Sequence, residues 1–230
     1  MKKLSGSKLS SPLVVATVHS LEGLRLAERI GSREVDLLEL RVDALEGKLS
    51  EVRNFLAKAK LPILLTVRHP AEGGIGKLSS QRRRSLLEEF LPFAAMVDVE
   101  FRSAEAMQEV IAVAKKRGIR VVVSDHHFHR IPTLGQMRER MRRAFAVGAD
   151  IFKLAAFVED AGAVARLIDF YTARKARPLA VMGMGKFGQV SRLVLACAGS
   201  VLNYGYLDRP NAPGQWEARE LKRLLVRLAC

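Results

Sequence analysis

Residues 119 to 154 read IRVVVSDHHFHRIPTLGQMRERMRRAFAVGADIFKL. A β-branched run, Ile119 to Val123, gives way to a segment of helical periodicity, Thr133 to Val147, which stops at Gly148 and is followed by a second apolar run, Ile151 to Leu154. Near-continuous apolar runs belong to parallel strands covered on both faces, and parallel neighbours need a crossover of a dozen or more residues. The stretch is one strand, helix, strand unit.

The same unit repeats outward in both directions. Strand cores are expected at Leu13 to Val18, Val35 to Leu40, Leu61 to Val67, Met96 to Phe101, Leu179 to Met182 and Ser200 to Tyr204, besides the two above. Helices are expected at Ser20 to Ile30, opened by a serine cap, at Lys77 to Leu91, and at Ser103 to Arg117, closed by Gly118. Strand starts recur at roughly 20 to 35 residues, as βαβ units require, and no Pro/Ser/Gly-rich linker interrupts them. The expectation is an α/β protein forming one domain over residues 1–230, a (β/α)8 TIM barrel. An open doubly wound sheet would gather its polar residues at one switch point. Here they recur at the C-terminal ends of many strands, which a barrel brings to one mouth.

The bulk composition agrees with a globular chain. Of 230 residues 49% are hydrophobic and 27% charged, with 8 Pro and 17 Gly, which excludes disordered and collagen-like classes. Cys197 and Cys230 make no disulfide framework and show no paired zinc-ligand spacing, so a reducing cytoplasm is the expected setting. The polar stretch Met1 to Pro12 lacks a signal peptide's apolar run, and no 18-residue apolar stretch occurs, so no membrane partner is expected. A net charge of +14 makes anions the expected partners. The densest basic runs, Arg82 to Arg84 and Arg138 to Arg143, have no stacking aromatics between them and read as solvated helix faces rather than a nucleic-acid surface.

Taken in order, the strand ends supply Glu39 and Arg41, Arg68 with Glu72, Asp98 and Glu100, His126, Lys153, Met184 and Tyr204. An amine, an imidazole, carboxylates and guanidinium groups at one mouth suit a site that handles an anionic carbonyl compound. Lys153, in Asp150-Ile-Phe-Lys-Leu-Ala, has apolar or small neighbours, and desolvation with nearby arginines would favour the neutral amine that forms a Schiff base. A strand-end lysine paired with Asp150 or another carboxylate is the competing reading. His126 closes Val121-Val-Val-Ser-Asp-His and titrates in the range useful for moving a proton. Asp125, His126, His127 and His129 cluster, but strand alternation points His126 away from His127 and His129, so no metal is expected. Gly183-Met-Gly185-Lys-Phe-Gly188 fits G-x-G-x-x-G, with Asp208 about twenty residues on, yet it sits in the seventh unit and reads as a backbone turn.

As a set these segments resemble the type I 3-dehydroquinate dehydratases. The likeness is carried by Glu39-Leu-Arg-Val-Asp43, Thr66-Val-Arg-His-Pro-Ala-Glu-Gly-Gly74, Asp98-Val-Glu100, Ser124-Asp-His126-His-Phe128, Lys153-Leu-Ala155, Met184-Gly-Lys-Phe-Gly-Gln-Val-Ser-Arg192 and Ala212-Pro-Gly-Gln215, in the family's order. The resemblance implies a cytoplasmic lyase of the shikimate pathway, a homodimer, that dehydrates 3-dehydroquinate to 3-dehydroshikimate by syn elimination with no metal or organic cofactor. It implies Lys153 as the Schiff-base lysine, His126 as the general acid/base and Glu72 as the acid that orients it. Arg192 matches the carboxylate binder, Arg68 and Gln215 hold the ring, and Glu39 and Arg41 fix hydroxyls. Met184 and Tyr204 match apolar walls, and Leu207 to Gln215, with Asn211, matches a segment that closes over substrate. His127 and Asn211 depart from the residues usual at those positions.

Two other readings stay open on the residues alone. A Schiff-base aldolase would use glycines 183, 185 and 188 as a phosphate cradle, against which Arg192 and the Ala-Pro-Gly-Gln loop argue. A basic, non-enzymatic nucleic-acid protein fits the charge but leaves the strand-end residues unexplained.

Overall fold

The structure, a computed structural model, describes residues 12–173 and 177–228. The N-terminal stretch before Pro12 and Cys230 lie outside the described residues. Strands and helices alternate: β1 (Leu13–Val18), α1 (Leu21–Arg29), β2 (Leu37–Arg41), α2 (Leu49–Lys58), β3 (Ile63–Thr66), α3 (Ser80–Phe90), β4 (Met96–Glu100) and α4 (Gln108–Lys116). They continue with β5 (Arg120–His127), α5 (Leu134–Ala146), β6 (Ile151–Phe157), α6 (Ala161–Thr172), β7 (Leu179–Met184), α7 (Gly188–Cys197), β8 (Leu202–Tyr206), a short β9 (Trp216–Glu217) and α8 (Ala218–Arg227). No helix among the described residues is long and apolar enough to cross a membrane.

The strands form one parallel sheet in the order β7-β6-β5-β4-β3-β2-β1-β8-β9, curled into the expected (β/α)8 barrel. β8 returns to pair with β1, so only β7 and β8 meet without a ladder. At the foot of that seam Val201 N donates to Leu179 O at 2.9 Å, and Ser200 Oγ accepts from Val181 N and donates to Val181 O. Higher up, the unpaired main-chain groups are met from α7: Gly183 N donates to Ser191 Oγ, and Arg192 Nη1 donates to Tyr204 O at 3.0 Å. Buried backbone groups must find partners. The Ser191-Arg192 pair supplies them, and in doing so a helix outside the barrel passes a guanidinium through the seam into the mouth.

Local signals set most boundaries. Ser20, Ser79 and Thr133 cap α1, α3 and α5 by accepting from the backbone N–H of Gly23, Arg82 and Gln136, and Gly118 and Gly148 follow α4 and α5 with positive φ. The caps explain two departures from the expected ranges. The helix expected from Lys77 starts at Ser80 because Ser79, not Lys77, carries a capping oxygen. The helix expected from Ser103 starts at Gln108, since Phe101–Ser103 forms a separate 3-10 turn whose serine is taken by Arg83. β2 begins later than Val35 because Asp36 turns its carboxylate onto Val14 N and Lys222. β5 runs past Val123 to His127.

Two apolar layers hold the fold. One lies between strands and helices, and includes Val14, Leu38, Leu65, Val97, Val123, Phe152 and Val181. The other fills the lower barrel with Val15, Leu37, Leu64, Met96, Val122, Ile151, Ala180 and Leu202. Burying each such side chain of Val, Leu or Ile size contributes about 1.5–3 kcal/mol. Two residues further along, the inward positions of every strand but β7, which presents Met182, carry a polar group, and the site begins there.

Candidate active site

Alternation on the strands delivers the side chains. Stepping by two from the lower layer gives Thr17 on β1, Glu39 and Arg41 on β2, Thr66 and then Arg68 past β3, Asp98 and Glu100 on β4, Ser124 and His126 on β5, Lys153 on β6, Met182 and Met184 on β7 and Tyr204 on β8. Glu39, Arg41, Arg68, Glu72, His126, Lys153, Met184, Arg192, Tyr204, Asn211 and Gln215 line one cavity at this mouth, whereas Asp98 and Glu100, also expected there, lie buried behind it.

Lys153 is 3% exposed, so the ammonium form is desolvated. Its Nζ donates to Asp98 Oδ2 at 3.2 Å, lies 3.7 Å from Glu39 Oε1 and rests over the Tyr204 ring. Asp150, the local partner weighed in the sequence, is instead bound by Lys115. Burial and the Arg68 charge hold the Lys153 pKa below the ordinary lysine value, while Asp98 and Glu39 pull the other way.

A charge network backs the amine. Arg68 donates through both terminal nitrogens to Asp98 at 3.1 Å, and also to Ser124 Oγ at 2.7 Å and Glu100 at 3.4 Å. Ser124 Oγ donates to Asp98, and Glu39 accepts from Thr17 and Thr66. Burial works to raise the Asp98 pKa, but Arg68 and Lys153 hold it far below the carboxylate range. Arg83 closes the network by donating to Glu100, Ser103 and the carbonyl of Val67. Here the structure corrects the sequence reading. Arg83 is 1% exposed, not part of a solvated face, and it lies on the helical stripe of Leu86, Leu87 and Phe90, a periodicity that marks its inward position. Arg142 and Arg143 of the second basic run are exposed.

His126 is held by Glu72, whose Oε2 lies 2.9 Å from Nδ1 and 3.2 Å from the His126 main-chain nitrogen, which donates to it. Burial, with Arg68 and Lys153 nearby, lowers the imidazole pKa well below its usual value. Burial and Glu100 push Glu72 up to about 8, with Arg68 and Arg102 opposing. Both shifts favour the uncharged forms of the pair, which share a hydrogen bond between Nδ1 and Oε2. His127 points to the other face, where it meets Asp125, which also accepts from Arg140. The alternation thus splits the histidine cluster, and His126 stacks beside Phe128 on its own face.

Arg41 is paired with Asp43 and donates to Gly73 O. Arg192 differs from the other buried arginines of the site. It is 3% exposed, its only described hydrogen bond goes to the Tyr204 carbonyl, Nε has no partner among the described residues, and burial lowers its pKa to about 10. A buried cation without an anion is costly unless a ligand supplies one.

The roof is the loop carrying Asn211, Ala212 and Gln215. Gln215 Oε1 accepts from Asn211 N, and Gly185 N donates to Pro213 O. Glycines 185 and 188 permit this docking: Gly185 has φ +89°, and a Cβ on Gly188 would sit 2.8 Å from Gly214 O. The G-x-G-x-x-G stretch is thus the turn on which the roof rests. The sequence reading left out Thr17, Met182 and Phe128, which also line the cavity. Thr17 and Met182 follow from the step of two, and Phe128 continues it one step past His126, just beyond the end of β5.

A family model described as type I 3-dehydroquinase matches residues 12–228. A 3-dehydroquinate dehydratase of Methanocella arvoryzae is 35% identical over 211 residues, covering 91% of this chain and 94% of that protein. Among solved structures, the 3-dehydroquinate dehydratase of Geobacillus kaustophilus matches with a TM-score of 0.86 and 28% identity, over 95% of this chain and 91% of that one. The type I enzyme of Clostridium difficile, solved with covalently modified comenic acid, matches with a TM-score of 0.84 and 27% identity, over 95% and 92%.

Proposed function

Because the chain belongs to the type I 3-dehydroquinase family, we propose that it is a single-domain lyase that dehydrates 3-dehydroquinate to 3-dehydroshikimate through a Schiff base on Lys153. The observation that carries the reading is the pairing, in one cavity, of a buried amine with a buried guanidinium that has no anion among the described residues: Lys153 for the ketone and Arg192 for the carboxylate.

The neutral Lys153 amine adds to the substrate ketone, and loss of water gives the imine. Asp98, held ionised by Arg68, accepts a hydrogen bond from Nζ, and its negative charge favours the protonated imine. Protonation draws electrons from the adjacent carbon, and the His126 imidazole, with Nδ1 donating to the Glu72 carboxyl, takes the proton there. The same imidazole then returns that proton to the departing hydroxyl, so that one group serves both ends of a syn elimination. Glu39, Arg41 and Arg68 orient the ring hydroxyls, Met184 packs against its apolar face, and Asn211 and Gln215 close over it and keep water from the imine. Hydrolysis restores Lys153. No step needs a metal or an organic cofactor.

The family supports a place in the shikimate pathway, in the cytoplasm and as a homodimer. Mixing the protein with 3-dehydroquinate and following the conjugated enone absorbance of the product tests the reading. Growth of that absorbance in proportion to enzyme is expected, and none at any pH from 6 to 9 would overturn it.

A further inference from the structure

Two buried donors of the cavity have no partner among the described residues: Arg192 Nε and the hydroxyl of Tyr204. Arg192 already has an assignment. The Tyr204 hydroxyl has none, although the rest of the residue is fully used. Its ring lies under Lys153, with Nζ 3.8 Å from the centroid, and its carbonyl accepts from Arg192. A phenylalanine would provide the same wall and the same carbonyl.

Tyrosine hydroxyls that are buried normally find a partner, and an unmet one costs stability. The carboxylates of the site accept from other groups and not from this hydroxyl. Glu39 is occupied by Thr17 and Thr66, and Asp98 by Arg68, Ser124 and Lys153. The side chain is 3% exposed. Burial also keeps the phenol protonated, as a donor.

We propose that the Tyr204 hydroxyl is a substrate ligand that donates a hydrogen bond to an oxygen of the molecule held between Lys153 and Arg192. This rests on reading the site as a 3-dehydroquinate dehydratase. The residue then combines two roles: the ring face stabilises the cation at Nζ, and the hydroxyl helps fix the register of the ring whose carbon becomes the imine.

Tyr204→Phe removes the hydroxyl and nothing else. Steady-state kinetics with 3-dehydroquinate and the melting temperature of the ligand-free protein should be measured side by side with the unaltered enzyme. KM is expected to rise about 10-fold, the worth of one hydrogen bond of about 1.4 kcal/mol, while the melting temperature of the free protein stays level or rises, since an unmet polar group has gone. A structural hydroxyl gives the opposite pattern, a lower melting temperature with KM unchanged, and that result overturns the proposal. So does an unchanged KM at equal stability while the unaltered enzyme turns substrate over, which leaves the dehydratase reading intact. If the unaltered enzyme has no turnover, that reading fails and the proposal with it.

Discussion

The barrel interior is built twice from the same strands. In its lower layer Val15, Leu37, Leu64, Met96, Val122 and Ile151 pack with no polar atom among their side chains. Two residues on, the same strands present Thr17, Glu39, Thr66, Asp98, Ser124 and Lys153, all buried. The lower layer gains stability from contact area and tolerates exchange of one apolar shape for another. In the upper layer each charge is affordable only because a neighbour answers it, so the groups stand or fall together. Arg192 is the exception, with no answering carboxylate among the described residues, and the proposed substrate carboxylate would supply it.

The sharpest way to break the comparison is to remove the proposed acid/base group from the upper layer. His126→Ala should cut kcat by about 10² to 10⁴, the usual worth of a positioned acid/base, while the protein stays folded by circular dichroism. A loss under threefold would move the acid/base role elsewhere. Arg68→Leu should do the converse. It leaves Asp98 and Glu100 short of a counter-charge, so a loss of about 3–5 kcal/mol in urea unfolding is expected, and a loss under 1 kcal/mol would show that the network is not interdependent.

In the lower layer Leu64→Ala should cost about 2–5 kcal/mol through the cavity it leaves. Below its melting range this variant should keep kcat/KM within a few-fold. A large kinetic loss in the folded protein would mean that the layers are coupled. The smallest effect concerns pH. Burial pushes Glu72 up to about 8, above its ordinary value of 4.5, so its stabilising contribution is full below 4.5 and is lost as pH rises through 8. Glu72→Gln should flatten the melting temperature across that window relative to the unaltered protein, and parallel profiles would contradict the burial argument.

Much of this was legible in the sequence because period-two alternation on apolar strands says which residues face inward, and the strand ends say which of those reach the mouth. That is why Glu39, Asp98, His126 and Lys153 could be named before their contacts were seen. The partners could not be. Nothing near Lys153 in sequence points to Asp98, 55 positions away, and Asp150 next door was the more obvious candidate. Arg83 was hidden by its neighbours Arg82 and Arg84, since a charge run suggests solvent although its spacing to Leu86, Leu87 and Phe90 places it inward. The passage of Arg192 through the seam depends on β7 and β8 failing to pair, and strand periodicity carries no information about which pair of strands in a barrel stays unzipped.

The central claim is that the upper layer exists to hold one amine ready to attack a carbonyl. Borohydride added during turnover of 3-dehydroquinate, followed by peptide mass mapping, tests it directly. The account predicts irreversible loss of activity and a single reduced adduct on Lys153, absent from Lys153→Ala. An adduct on any other lysine, or full activity after borohydride treatment with no adduct, would contradict it.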